Sequence, residues 1–405
     1  MTGIEWTEKT WNPVIGCTPV SPGCLNCYAA TMANRMQHMP QVPEYAPRLV
    51  DERGITHQGA IPTERLETLK TIRIAEVRNG RAVFTGDVRC LEERLTDPLH
   101  WKKPRMIFVD SMSDLFHEKV PFEFVDKVFA VMALCPQHTF QILTKRPERM
   151  LNYVLHHRWR EVTVAAGRIR RMQDQMPRQW WPQFEGDGKN WPLPNVWLGT
   201  SVENQQCADE RIPHLLATPA AVRFLSCEPL LGKVDLDKIV LMKSDAPERG
   251  KPPVSISCLR GWNGGADRPD PTRIDWVIVG GESGNQSSPC DVEWIRSIVQ
   301  QCKAAAVPVF VKQLGARVWV DYYTEDPELE EWSRARERCV WNPDGMGRIG
   351  GIEAVYEWDE SDGQPRSGAV IEVALRSRKG SDMSEWPEDV RVRQLPGAAE
   401  VGGGA

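Results

Sequence analysis

Short apolar runs alternate with amphipathic segments along most of the chain. The runs Pro13 to Gly16, Ala82 to Thr85, Met106 to Val109, Phe140 to Leu143, Val196 to Gly199, Val222 to Leu225, Trp276 to Val279 and Val309 to Val311 are candidate strands. Between them lie helix candidates at Ala29 to Met36, Leu91 to Leu95, Phe122 to Leu134, Glu148 to Leu155, Ala208 to Leu216 and Val292 to Ala305. Such segments supply the crossovers that parallel strands require. Eight strand candidates in βα alternation predict an α/β fold, a (β/α)8 TIM-type or partial barrel, with a doubly wound open sheet as the competing architecture. The polar residues favour the barrel. Nearly every apolar run ends in one, giving Asp87, Asp110, Lys145, Ser201 with Glu203, Ser226 with Glu228, Glu282, and Lys312 with Gln313. The C-terminal ends of parallel barrel strands converge on one face, where barrels carry their chemistry.

Residues 1–319 read as the barrel domain. The alternation is interrupted by polar, Pro-containing residues 37–80, by the Arg- and Trp-rich 157–194, and by 241–272 with their Pro, Gly and charge. Residues 320–405 form an acidic, Gly-rich extension whose last dozen residues are expected to be disordered.

Composition narrows the class. A hydrophobic content of 41% over 405 residues is enough for a sizeable core, and a net charge of -5 gives no global electrostatic case for nucleic acid. No apolar run approaches the roughly 18 residues of a membrane span, and the N-terminus lacks the basic start and apolar core of a signal peptide, so a cytoplasmic protein without membrane contact is expected. The 11 cysteines agree with this, because most stand singly in apolar segments, as Cys135, Cys227 and Cys302 do, which suits buried reduced thiols better than disulfides.

Three cysteines are different. Cys17, Cys24 and Cys27 cluster in NPVIGCTPVSPGCLNCYAATMANRM, where a short apolar stretch gives way to a helix-like one. The following helix would put this loop at a helix N-terminus, whose free N–H groups and dipole favour thiolates. Pro22 and Gly23 allow a tight turn before Cys24. Three thiolates can hold an iron–sulfur cluster with one iron open to an outside ligand, whereas a structural zinc site closes with four protein ligands, here with His38 as the candidate fourth.

Cys24 and Cys27 keep the x2 spacing of CLNCYA, which resembles the second half of the radical S-adenosylmethionine (SAM) cysteine motif. The full spacing here is C-x6-C-x2-C, and Asn26 stands where that motif usually carries an aromatic residue. The stretches IEWTEKTWNPVIGCTPVSPGCLNCYA, FVDSMSDLFHEKVP, ILTKRPERM, WLGTSVENQQCADERIPHLL, RFLSCEPLLGKVDL, DWVIVGGESG and VPVFVKQLG cover most of residues 4–315. Together they resemble the phage and prophage family of three-cysteine-motif proteins, which is radical SAM-like and of unknown function. The resemblance implies a barrel, a [4Fe-4S] cluster on Cys17, Cys24 and Cys27, SAM as cofactor, an external reductant, and a phage-encoded partner protein of the same three-cysteine-motif system.

It also suggests where SAM would be held. Gly86 and Asp87, after the second strand candidate, are a partial counterpart of the glycine-rich motif that contacts the SAM amino group. Ser201, Glu203, Asn204 and Glu228, at successive strand ends, could meet its ribose hydroxyls or amino group. Asn204 could equally cap the following helix. Lys145, Arg146, Lys312 and Gln313 would bring positive charge and an amide to the same rim, to hold an anion or to pair with neighbouring carboxylates. The 157–194 insertion adds Arg158, Arg160, Arg168, Arg170, Arg171 and Arg178 beside Trp159, Trp180 and Trp181, a combination suited to nucleic acid, although a solvated basic helix has the same composition.

Overall fold

Seven strands form one parallel sheet: β1 (Lys9–Trp11), β2 (Met106–Val109), β3 (Thr139–Thr144), β4 (Val196–Ser201), β5 (Val222–Cys227), β6 (Trp276–Gly280) and β7 (Val309–Gln313). The computed structural model describes residues 4–38, 48–50, 56–58, 73–156, 158–172, 191–241, 255–261, 273–284, 286–321, 347–349, 352–354, 370–373, 377 and 379–396. Strand order in the sheet follows chain order throughout. A doubly wound sheet needs a point where that order reverses, and there is none, so right-handed crossovers carry the helices to one face. α1 (Tyr28–His38) packs apart from the sheet, and the helices that share its core are α2 (Phe122–Ala133), α3 (Pro147–Leu155), α4 (Trp159–Met172), α5 (Gln205–Ala217) and α6 (Val292–Ala304).

The other face covers itself by curling. Trp6 lies 4.8 Å from Phe108 of β2, 6.3 Å from Phe224 of β5 and 6.1 Å from Trp276 of β6, ring centre to ring centre. In a flat sheet β2 and β6 would stand about 19 Å apart, four strand spacings. One indole reaches both, so the sheet is a half-barrel. Its two faces alternate along each strand: Ile107, Val109, Phe140, Ile142, Leu225, Val277 and Val309 join the core shared with the helices. Phe108, Leu143, Trp197, Phe224, Trp276, Ile278 and Phe310 pack inside with Trp6.

Gly199 is small because this interior is crowded. A Cβ there would lie 2.6–2.7 Å from three Phe224 ring atoms. Gly199→Ala is expected to cost about 1–3 kcal/mol by overpacking, read as a lower urea midpoint at unchanged slope; Gly167→Ala, where a Cβ meets nothing, should not.

Two predicted barrel strands belong elsewhere. Pro13 to Gly16 overshoots the sheet: the barrel strand is Lys9–Trp11, and Val14–Ile15 pairs antiparallel with Arg89–Cys90. Pro13 has no N–H for the ladder, and polar Lys9 and Thr10 hide the true strand from a search for apolar runs. Ala82 to Thr85 overlaps a hairpin, Ala75–Arg78 against Arg81–Phe84, closed by Asn79 and Gly80 at φ 50° and 75°. Asn-Gly with both φ positive is the two-residue turn whose twist matches antiparallel strands. The hairpin stands outside the parallel sheet, which therefore has seven strands rather than eight.

The eighth place is filled from the C-terminus. Phe310 and Arg393 form an antiparallel bridge, Val311 N donates to Val392 O at 2.8 Å, and Gln394 N to Val309 O at 2.9 Å. Trp276 Nε1 donates to Gln394 O at 2.9 Å. The segment covers the unpaired edge of β7, and Trp386 and Val390 are fully buried beside it. Part of the 320–405 extension is thus built into the barrel. Of the last dozen residues, 397–405 lie outside the described residues, as do large parts of the three insertions. Among the described residues, no helix is long and apolar enough to cross a membrane.

Candidate metal centre at the barrel mouth

The cysteine loop crosses the C-terminal ends of the strands. Beyond Val14–Ile15 the chain turns at Gly16 (φ 89°), where a Cβ would sit 2.0 Å from the Asp87 carbonyl oxygen. Pro22–Cys24 form a 3-10 turn in which Cys24 N donates to Ser21 O at 2.9 Å. Cys27 O then accepts from Thr31 N at 3.1 Å, which starts α1. Ala30 and Ala33 of α1 meet Ala75 and Phe84 of the hairpin in a small core that Cys17, Cys27 and Met112 join.

Two consecutive cations after β3 support the loop, each against a different thiol. Lys145 Nζ lies 3.6 Å from Cys24 Sγ, and Arg146 Nη1 lies 3.7 Å from Cys17 Sγ. Arg146 is held by Asp114 Oδ2 at 3.1 Å and Glu118 Oε1 at 2.8 Å, and donates to Thr18 O at 3.2 Å. Asp114 also accepts from Thr144 Oγ1 at 2.7 Å and from the Lys145 N–H at 3.1 Å. Lys145 pairs with Glu203, whose carboxylate accepts from Ser21 Oγ and from Arg211 Nη1, each at 2.8 Å. Burial disfavours ionising that carboxyl, but Lys145 and Arg211 prevail and hold its pKa at about 2. Gly23 rests on Glu203, since a Cβ there would lie 2.6 Å from Glu203 Cγ.

These surroundings separate the thiols. Burial, aided by the Asp114 carboxylate, pushes the Cys17 thiol up to about 12 despite Arg146. Cys27 is raised, chiefly by burial. Burial opposes ionisation of Cys24 too, but Lys145 and hydrogen bonds from Val20 and Ser21 bring it below the ordinary thiol value.

Asn26, between Cys24 and Cys27, ties the loop across the mouth. Its Nδ2 donates to Glu282 Oε2 at 2.9 Å and to Gln286 O at 2.8 Å, so the GGESG turn after β6 closes against the cysteines. Further round, Lys312 Nζ donates to Glu228 Oε1 at 2.5 Å, and Gln313 Nε2 to the same oxygen at 3.3 Å. Ser201 and Ser226 are buried register neighbours on the inward face, with no side-chain hydrogen bond to a described residue. Asn204 caps α5, accepting from Cys207 N at 2.9 Å. Gly86, at φ 91°, lies beside Thr18, and Asp87 is exposed. Because the second barrel strand is Met106–Val109, Gly86 and Asp87 follow the hairpin and not a barrel strand.

Ser21 and Arg211 do not stand out along the chain, and Asn26 does so only as the residue in place of an aromatic one before Cys27. Nothing local marks their contacts: Ser21 meets Glu203 across 182 positions and Asn26 meets Glu282 across 256. On the basic insertion, Arg158 pairs with Asp126, α4 packs on α2, and Arg178, Trp180 and Trp181 lie outside the described residues.

Among the described residues no group of three His, Cys, Asp or Glu side chains stands close enough to hold a single metal ion, and Cys17, Cys24 and Cys27 are no exception. His38 ends the continuous helix α1 and its backbone lies about 16 Å along from Cys27, further than a thiolate and an imidazole can span through one ion. A cluster spreads its ligands around several irons, so three thiols over one mouth beside two cations remain a suitable donor set.

Residues 1–347 match a family described as "Protein of unknown function (DUF5131)". The chain belongs to the DUF5131 family. The match takes in the half-barrel, the cysteine loop and the mouth residues, while the edge-covering segment of this DUF5131 chain lies beyond it. No curated protein and no solved structure matches the chain.

Proposed function

We propose that this DUF5131 chain is a radical SAM-like iron–sulfur enzyme on a partial barrel, with Cys17, Cys24 and Cys27 holding a [4Fe-4S] cluster. The observation that carries this reading is the loop itself: three thiols over the mouth of a parallel half-barrel, with Lys145 against one and Arg146 against another. Fixed cations and a helix N-terminus both favour thiolates and the anionic group they would hold. When bound, such a cluster with SAM on its open iron supplies reductive cleavage of SAM and the hydrogen abstraction that follows, using an electron from an outside reductant. The chain's own residues position and shield. Glu203 neutralises Lys145 and seats Gly23, so the loop has a fixed height above the strands. Asn26 and Glu282 close one side against water. Ser201, Ser226 and the Glu228–Lys312 pair present hydroxyls and charge toward the interior, where polar groups of SAM or substrate would be bound. The resemblance to phage three-cysteine-motif proteins supports the same reading, and the free thiols of the described cysteines suit a cytoplasmic setting.

Anaerobic purification and reconstitution, followed by iron and sulfide analysis, tests the proposal. About four irons and four sulfides per chain are expected, with an electron paramagnetic resonance signal that changes on adding SAM and formation of 5′-deoxyadenosine under reduction. A colourless protein with one zinc and no iron would overturn it in favour of a zinc-stabilised binding protein.

A further inference from the structure

The surface framing the cysteine loop is basic and apolar together, although the whole chain is acidic. Val20, Leu25 and Tyr28 are 46%, 53% and 63% exposed. The described segments that frame them, 14–38, 73–90 and 117–119, contain six cations (Arg35, Arg73, Arg78, Arg81, Arg89 and Lys119) and three carboxylates, Glu76, Asp87 and Glu118, with the exposed Glu92 and Glu93 next along the chain. Two of those acids are committed, Glu76 to Arg78 and Glu118 to the buried Arg146. Among the described residues, no carboxylate forms an ion pair with Arg35, Arg73, Arg81, Arg89 or Lys119.

These positions are tied to one face. Arg89 is in the strand paired with Val14–Ile15, and Lys119 Nζ donates to Gly86 O at 2.7 Å. Arg81 donates to Gln286 at 3.0 Å, the residue whose carbonyl accepts from Asn26. Arg73 O accepts from Thr85 Oγ1, next to Gly86. On α1, Tyr28 and Arg35 are seven residues apart, about two turns, and both exposed, while Ala30 and Ala33 face inward.

We propose that this face binds a single-stranded nucleic acid, with Tyr28 stacking on a base and the hairpin and α1 cations following the phosphates. The charge excess suits a polyanion, and an exposed aromatic ring beside it offers the sequence-tolerant stacking that single strands use. A duplex would keep its bases stacked away from the mouth, whereas a single strand can present one to it. This names the substrate class of the proposed enzyme site and rests on that reading for its chemistry. Binding itself uses other residues than the thiols.

Fluorescence anisotropy with labelled 12-nucleotide DNA and RNA single strands, at several salt concentrations, tests it on the full-length protein with and without reconstitution. Binding at low salt is expected in both states. Arg35→Ala with Arg73→Ala and Arg89→Ala should flatten the plot of log affinity against log salt by about two units, from about 0.7 per phosphate contact. Tyr28→Ala should weaken binding roughly tenfold, and Tyr28→Phe should restore it. Arg168→Ala with Arg170→Ala and Arg171→Ala, on α4, should leave the slope unchanged. No binding at low salt, or a slope changed by the α4 substitutions and not by the face substitutions, would overturn the proposal. Cluster assembly without strand binding fails this inference alone, and strand binding without iron fails the enzyme reading alone.

Discussion

Cys17→Ala, Cys24→Ala and Cys27→Ala are each expected to lose the reconstituted iron and sulfide, and with them all 5′-deoxyadenosine formation. A methyl group cannot replace a thiolate ligand. Cys135→Ala and Cys302→Ala should keep both. Their thiols are fully buried and raised by burial, Cys302 to about 12, which leaves them inert packing groups. The same iron and sulfide assay checks all five variants. Full iron content in any of the three loop variants would sink the ligand assignment.

Glu203→Ala should be the most destabilising change at the mouth, by about 3–5 kcal/mol, because it strands Lys145 and Arg211 beside an empty space under the loop. Urea unfolding at neutral pH measures it, and a loss below about 1 kcal/mol would show that the network contributes little. Acid should have a related effect. The folded-state pKa of Glu203 is depressed from 4.5 to about 2, so its contribution, on the order of 3 kcal/mol, is present above about pH 4.5. It is lost as pH falls through that window toward 2. Glu203→Gln removes the titrating group, so its stability should fall less steeply between pH 5 and 3 than that of the unsubstituted protein.

Both predictions turn on contacts that differ greatly in how far along the chain they could be seen. Strands β2 to β7 coincide with apolar runs, because a strand covered by helices on one face and by the curled interior on the other must be apolar at successive positions. Strand β1 escaped that criterion, since Lys9 packs over Trp101 and Thr10 is only half-buried. The Asn79-Gly80 turn was legible and passed over; given its due, it would have removed Ala82 to Thr85 from the barrel.

Local chemistry along the chain was sufficient for the βα alternation, for the tight turn at Pro22 and Gly23, and for three thiols on one loop ahead of a helix. Each depends on residues within a few positions of one another, where backbone preference and periodicity act directly. Only the tertiary structure decided that the sheet curls around Trp6, that residues 392–394 cover the edge of β7, and that Ser21 meets Glu203 while Asn26 meets Glu282. Those pairings span from 81 to 270 positions. No local preference encodes them, because they form only when burial of the whole core offsets the entropy of closing such long loops.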